Sequence, residues 1–227
     1  MHSVTLIPGD WVGPETCEAA KAVVSAAGVA VRWDEQHFSN GRPTQELLRS
    51  CRETGVVLKA RVAAMREVGR LPATVQLRKD LGLWATVRPV VPLLSGAPFP
   101  DTDLVVIRET SEDIYTGFEH EVTDGVFEAV KVTTKAACER IARYGFEYAA
   151  RHGRKKITIV HKSNIMKRSD GMFLEVARKV GEEYPGIETT DMIVDALCMR
   201  LVRNPCDFDV LLALNLFGDI VSSLCSG

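Results

Sequence analysis

Apolar and polar residues recur along this chain with two periods, and the switches between them mark out the elements. Val4–Ile7 predicts a strand closed by the turn Pro8-Gly9-Asp10. Pro14–Ala27 then carries Cys17, Ala20, Val23, Val24 and Ala27 at helical spacing until Gly28 stops it. Val29–Trp33 predicts a second strand, Thr44–Thr54 a helix opened near Pro43, and Val56–Leu58 a short buried strand. Lys59–Pro72 mixes Arg61, Arg66 and Arg70 with small apolar residues and predicts a loop with some helix. Leu83–Val90 and Leu104–Arg108 predict strands on either side of the Pro- and Gly-rich stretch Pro92–Pro100, a candidate domain boundary. Ile114–Val122 and Val126–Thr134 alternate and meet at Asp124-Gly125, the signature of a hairpin, here an arm or an added sheet.

Thr134 predicts the N-cap of a helix to His152, with the stripe Ala137, Ile141, Tyr144, Tyr148 and a stop at Gly153. Lys156–His161 predicts a strand. Ser169 caps a helix through Tyr184, Met192–Val202 forms another helix, Asp209–Leu214 is a buried strand, and a further helix begins at Gly218. Strands alternating with helices define an α/β chain with a parallel or mixed sheet.

Composition narrows the class. The 227 residues are 46% hydrophobic and 26% charged, an ordinary globular mixture with enough chain for one large domain or two modest ones. Lys plus Arg number 28 against 30 for Asp plus Glu, a net charge of −2 without a basic block, so electrostatic nucleic-acid binding is not expected. No apolar run reaches the ~18 residues of a membrane span, and the N-terminus lacks the pattern of a secretory signal. The six cysteines are scattered without a Cys-x-x-Cys pair, which points to reduced packing thiols in a cytoplasmic protein.

The candidate chemistry gathers at strand ends. Asp209–Leu214 runs into Asn215-Leu216-Phe217-Gly218-Asp219, placing an acid where open α/β sheets bind ligands. Asp195 opens a second predicted helix, and two carboxylates suit a hard cation such as Mg²⁺ or Mn²⁺; taken alone, Asp219 is also a normal helix-opening acid stabilised by the macrodipole. Lys162 follows a strand, as a base, a carboxylate clamp or a solvated charge. Arg78, Arg88 and Arg108 each lie near an element end. Three guanidiniums are able to hold a polycarboxylate, while any one alone is also an ordinary surface ion pair.

The motifs GDWVGPE (9–15), QLRKDLGLWATVRP (76–89), VVIRETSEDIYTGFEHE (105–121), VHKSNIMKRSDGMF (160–173) and FDVLLALNLFGDI (208–220) stand in an order and spacing that resembles the β-decarboxylating dehydrogenases. This is the isocitrate/isopropylmalate dehydrogenase family, and the Glu119-His120-Glu121 stretch is most similar to its NAD-dependent isocitrate dehydrogenases. The resemblance implies an α/β fold with a mixed twisted sheet. It further implies a discontinuous large domain (residues 1–91 and 206–227) and a smaller domain (92–205) with a dimerisation arm near 115–134. It implies that Arg78, Arg88, Arg108 and Thr74 bind substrate, that Tyr115 protonates the enol, and that Lys162 serves proton transfer at the hydroxyl. Asn164 would lie near the nicotinamide of NAD. Asp219, with Ser223 one turn on and Asp195 from a second subunit, would hold Mg²⁺ or Mn²⁺, in a homodimer or hetero-oligomer that shares its site.

Several positions depart from the family pattern. Ser223 stands where a second metal Asp is usual, and Pro72 and Thr74 replace a Ser and an Asn of the substrate loop. Lys59-Ala60-Arg61 and Ala64-Met65 replace K-G-P and T-P elements, and Trp11 brings an indole to a glycine position. The family's H-G-S-A-P-D-I adenine-pocket element is not in the chain, which reads as C-terminally short of the large domain. The leading expectation is oxidative decarboxylation of isocitrate with NAD. The alternatives are a non-catalytic regulatory paralogue or fragment, and an enzyme acting on isopropylmalate, homoisocitrate or tartrate.

Overall fold

A computed structural model describes residues 1–63 and 72–227, which divide into two compact units, Met1–Leu83 and Trp84–Gly227. The expected loop over Lys59–Pro72, with its Ala64-Met65 departure, lies largely outside the described residues.

In the first unit, strand β1 (His2–Ile7) leads into helix α1 (Gly13–Ala26), β2 (Val31–Glu35), the two-residue strands β3 (Phe38–Ser39) and β4 (Arg42–Pro43), and α2 (Gln45–Thr54). Strand β5 (Val57–Lys59) and α3 (Ala73–Asp80) follow. The strands pair in parallel in the order β2-β1-β5. Helix α2 starts where it does because the Thr44 side chain accepts the Leu47 N–H at 3.1 Å, and it stops at Gly55 in the left-handed conformation. Its apolar face, Leu47, Leu48 and Cys51, closes on Ile7 and on Leu77 of α3.

The second unit is built on β6 (Ala85–Val90), β7 (Leu104–Glu109), a 3-10 turn over Ile114–Thr116, the hairpin β8 (Glu119–Thr123) and β9 (Val126–Ala129), and α4 (Lys135–Arg151). It continues with β10 (Lys156–His161), α5 (Ser169–Gly181), β11 (Glu188–Ile193), α6 (Val194–Arg203), β12 (Val210–Ala213) and α7 (Asn215–Leu224). Five strands pair in the order β11-β10-β12-β7-β6, all parallel except β6 against β7. Side chains alternate across a strand. Val105, Ile107, Ile157, Ile159, Val210 and Leu212 therefore meet α4 and α5 through Ile141, Phe146 and Phe173, while Leu104, Val106, Val160, Leu211 and Ala213 meet Leu197 of α6 and Val221 of α7. This two-faced burial is why the interiors of β7 and β12 read as continuous apolar runs and that of β10 as one broken only by the buried Thr158. Arg108 has the parity of Leu104 and Val106, and Arg88 lies opposite Val106 in the register, so both arginines belong to the α6–α7 face.

Thr134 caps α4 as expected, accepting the Ala137 N–H at 3.2 Å. Other expectations are corrected. Residues 206–227 do not join the N-terminal unit: β12 is hydrogen-bonded between β7 and β10, and the division falls at Leu83/Trp84 rather than near Pro92. A buried apolar strand announces its burial but not the sheet that takes it. The alternation from Ile114 becomes strand only at Glu119, after a turn set by Asp113 at φ 77°. Ser169 is the first residue of α5 rather than its cap, and that helix ends at Gly181. Met192 belongs to β11, an edge strand whose polar sequence hid it.

Candidate active site

The site grows from the end of β7. Arg108, with a 5% exposed side chain, passes under the first turn of α7, where Asn215 Oδ1 accepts from its Nε at 3.0 Å and its Nη2 at 2.6 Å. Asn215 in turn donates from Nδ2 to the Glu112 carbonyl at 2.8 Å. The helix passes this close because residue 218 is glycine. A Cβ there would lie 2.7 Å from Arg108 Cβ and 2.6 Å from Cγ.

One turn into α7, Asp219 faces the same guanidinium. Its Oδ1 accepts from Arg108 Nη1, and Arg88 Nη2 lies 4.0 Å away. Its Oδ2 accepts from the Tyr115 hydroxyl at 2.7 Å. Arg88 Nη1 donates to Ser222 Oγ at 3.0 Å, and Ser222 donates to the Asp219 carbonyl at 3.0 Å. Arg108 also stands over the Tyr115 ring at 5.2 Å, a cation–π contact.

Tyr115 is aimed by Asp113, whose φ of 77° and ψ of −154° is a region non-glycine residues avoid at a cost of about 1–3 kcal/mol. The Asp113 carboxylate accepts the N–H groups of Ile114 at 2.9 Å and Leu216 at 3.0 Å, so the same acid ties the tyrosine turn to the start of α7. Buried Glu109 stiffens the loop from below, accepting from the N–H groups of Ser111 at 2.8 Å and Glu112 at 3.1 Å. Burial pushes the Tyr115 phenol above its ordinary value, and the hydrogen bond and charge of Asp219 add to this against a smaller opposite pull from Arg108.

Lys162 and Asp195 form a second constellation. Lys162 Nζ donates to Asp195 Oδ1 at 2.6 Å, and that hydrogen bond holds the exposed Asp195 carboxyl below its usual range. The Lys162 backbone N–H donates at 2.7 Å to Asp170, a fully buried carboxylate paired with Lys131. His161 beside it accepts the Ser163 N–H on Nδ1 at 3.1 Å, which leaves its proton on Nε2, facing Asp191 at 3.0 Å.

The structure thus brings together Arg88, Arg108, Tyr115 and Asp219, and pairs Lys162 with Asp195. Asn164 is exposed in the turn after β10, Ser223 is exposed one turn beyond Asp219, and Thr74 and Arg78 lie half-buried on α3 of the first unit. Burial, then the charge of Arg78, pulls the Lys59 ammonium down. Asn215, Ser222 and Asp113 hold the site without having been singled out from sequence. The first two sit inside or beside the Asn215–Asp219 motif, which was the available signal; the role of Asp113 depends on its backbone conformation.

The donor set of one chain does not fit a divalent cation. Asp219 has both oxygens engaged, Ser223 adds only a neutral hydroxyl, Asp195 is paired with Lys162, and no group of three or more His, Cys, Asp or Glu side chains suited to a metal occurs among the described residues.

Fold and geometry define a mixed-sheet α/β protein with guanidinium, phenol and carboxylate groups meeting at the carboxyl end of its central strands. Residues 3–227 match the family described as isocitrate/isopropylmalate dehydrogenase, and the chain belongs to that family. It is 42% identical to isocitrate dehydrogenase (NAD) catalytic subunit 5, mitochondrial, of Arabidopsis thaliana, over 99% of this chain and 62% of that protein. It is 41% identical to 3-isopropylmalate dehydrogenase, chloroplastic, of Solanum tuberosum, over 98% of this chain and 65% of that one. It is 43% identical to isocitrate dehydrogenase (NAD) regulatory subunit 1, mitochondrial, of Arabidopsis thaliana, over 100% of this chain and 62% of that one. The crystal structure of isocitrate dehydrogenase from Methylococcus capsulatus superposes with a TM-score of 0.93 at 42% identity, covering 99% of this chain and 70% of that chain. The chain therefore spans about three fifths of the length of these curated relatives. Their names place them in mitochondria or chloroplasts, which overturns the cytoplasmic location expected from cysteine usage and the N-terminus. No helix among the described residues is long and apolar enough to cross a membrane.

Proposed function

We propose that this chain is the substrate-binding and proton-transfer part of an NAD-linked decarboxylating dehydrogenase acting on a polycarboxylic 2-hydroxy acid, isocitrate first among them. The observation that carries the reading is the convergence of Arg88, Arg108 and Tyr115 on one point, the Asp219 carboxylate. Guanidiniums fixed by Asn215 and Ser222 are preorganised to receive substrate carboxylates. A bound NAD⁺ would supply the hydride acceptor for the hydroxyl-bearing carbon, with Asn164 as the candidate residue beside its nicotinamide. Lys162 takes the hydroxyl proton as it passes one of its own to Asp195, CO₂ leaves from the neighbouring carbon, and Tyr115 delivers a proton to the carbon that held it, yielding 2-oxoglutarate. The upward shift of Tyr115 keeps that phenol protonated at neutral pH.

Lys162 and Asp195 are assigned to the Arg108 corner of a second copy or a homologous subunit. The support is that Asp195 is largely exposed and that every residue of the β8–β9 hairpin faces solvent, an arm suited to pairing across an interface. Family likeness alone carries the assignment of Arg78 and Thr74 to substrate and of Asn164 to nicotinamide.

The test is NADH formation on isocitrate, with isopropylmalate, homoisocitrate and tartrate in parallel, comparing wild type with Arg108→Met and Tyr115→Phe. Turnover of one acid that both variants abolish supports the reading; turnover that survives Arg108→Met overturns it. A regulatory subunit is the second reading, favoured by Ser223 beside a fully engaged Asp219. It predicts isocitrate binding without turnover.

A further inference from the structure

Asp219 is a carboxylate placed where a ligand carboxylate would sit. Its Oδ1 takes Arg108 Nη1 with Arg88 Nη2 at 4.0 Å, and its Oδ2 takes the Tyr115 hydroxyl at 2.7 Å. These are the donors that would clasp an incoming acid. The side chain is 37% exposed and Arg88 40%, so the cluster is reachable from solvent, whereas Arg108 beneath is 5% exposed and held by Asn215. The remaining acid of this corner, Asp113, is occupied by the amides of Ile114 and Leu216, and Ser222 and Ser223 are neutral. Within this chain, two guanidiniums against one available carboxylate attract an anion and oppose a free divalent cation, and a second copy's Lys162–Asp195 pair adds no net charge.

We infer that Asp219 is an internal stand-in for the ligand: a di- or tricarboxylate binds by exchanging one of its carboxylates for Asp219 on Arg108 and Arg88, and this binding step needs no divalent cation. The exchange conserves the number of guanidinium–carboxylate pairs, and the partly exposed Asp219 turns to water as the ligand enters. The inference rests on the reading of Arg88 and Arg108 as carboxylate binders. It goes beyond that reading by making Asp219 a competitor of the substrate instead of its ally.

The two roles of Asp219 predict opposite signs. Isothermal titration of the chain with isocitrate, NAD omitted, is run in EDTA and again with Mg²⁺, for wild type and Asp219→Asn. A stand-in acid predicts binding in EDTA that becomes about fivefold tighter in Asp219→Asn, because the neutral amide competes less for a partly exposed guanidinium. Binding that requires Mg²⁺, or that is unchanged or weaker in Asp219→Asn, overturns the inference while leaving the arginine reading intact. No binding by wild type or variant in either buffer removes both.

Ser223→Asp is the independent arm, at an exposed position where folding is not at stake. A second acid one turn from Asp219 should weaken isocitrate binding in EDTA several-fold and introduce Mg²⁺ binding detectable without any acid present. Unaltered isocitrate binding in EDTA by Ser223→Asp also overturns the inference.

Discussion

Replacing Asn215 by Ala should destabilise the second unit by about 3 kcal/mol, through Arg108 rather than through lost packing. The Asn215 amide makes three hydrogen bonds, at 3.0 and 2.6 Å from Arg108 and at 2.8 Å to the Glu112 carbonyl, and is 1% exposed. Hydrogen bonds to charged groups contribute about 1.5–3 kcal/mol each and neutral ones about 1, and a buried donor left unpaired costs about as much again. The full sum is not expected, because Arg108 keeps Asp219 and water can enter beside the part-exposed Arg88. For a unit of this size, a loss of about 3 kcal/mol lowers Tm by about 10 °C.

Trp84 is the single tryptophan of the second unit, the others being Trp11 and Trp33. Urea unfolding followed by fluorescence in a Trp11→Phe/Trp33→Phe background therefore reports that unit. Isocitrate affinity should fall alongside stability, since the guanidinium loses two of its anchors. Asn215→Asp should lie between wild type and Ala, because a carboxylate still accepts from Arg108 but cannot donate to Glu112. A stability loss under about 1 kcal/mol, or an undiminished affinity, would refute the claim that Asn215 sets the arginine.

Gly218→Ala adds a methyl group within 2.7 Å of the Arg108 side chain, so isocitrate affinity should fall at least tenfold with the fold retained by far-UV circular dichroism; unchanged affinity would mean that Arg108 shifts freely. Lys131→Met leaves the fully buried Asp170 without its cation and should cost about 3 kcal/mol in chemical denaturation, most of it recovered by adding Asp170→Asn. Tyr115 is raised in the folded state, so its contribution to stability is complete below the ordinary tyrosine pKa of about 10 and is lost as pH rises through the folded value. Tyrosinate absorbance should show one phenol, missing in Tyr115→Phe, ionising above that point in the folded protein, and a midpoint at or below it would contradict the Asp219 contact.

Much of the local structure was legible because it is local. Thr134 precedes a stripe at helical spacing, and both the cap and the stripe are found; Leu104–Ile107 is a strand of unbroken apolar residues, and Ile157–Val160 is one broken only by Thr158. β11 escaped notice because Glu188–Ile193 is a half-buried edge strand with a polar sequence, and α3 because its eight residues, Ala73–Asp80, follow Pro72 with no side-chain cap. Family membership was legible from five ordered motifs and is upheld over residues 3–227. The site was only partly legible. Arg88, Arg108, Tyr115 and Asp219 were all named, but the clasp of three donors on one carboxylate was not foreseen.

Sequence alone determined the periods, the Thr134 cap, the order of most of the elements and the identity of the charged groups at the strand ends, since each depends on neighbours a few residues apart. Tertiary structure decided that β12 lies between β7 and β10, that Asp113 adopts a conformation glycine would ordinarily take, and that Asp219 meets Arg108 and Tyr115 from 111 and 104 residues away. Those outcomes turn on which sheet buries a given apolar face and which buried donors find acceptors. Packing settles them across the whole unit at once, and no stretch of chain carries the answer within itself.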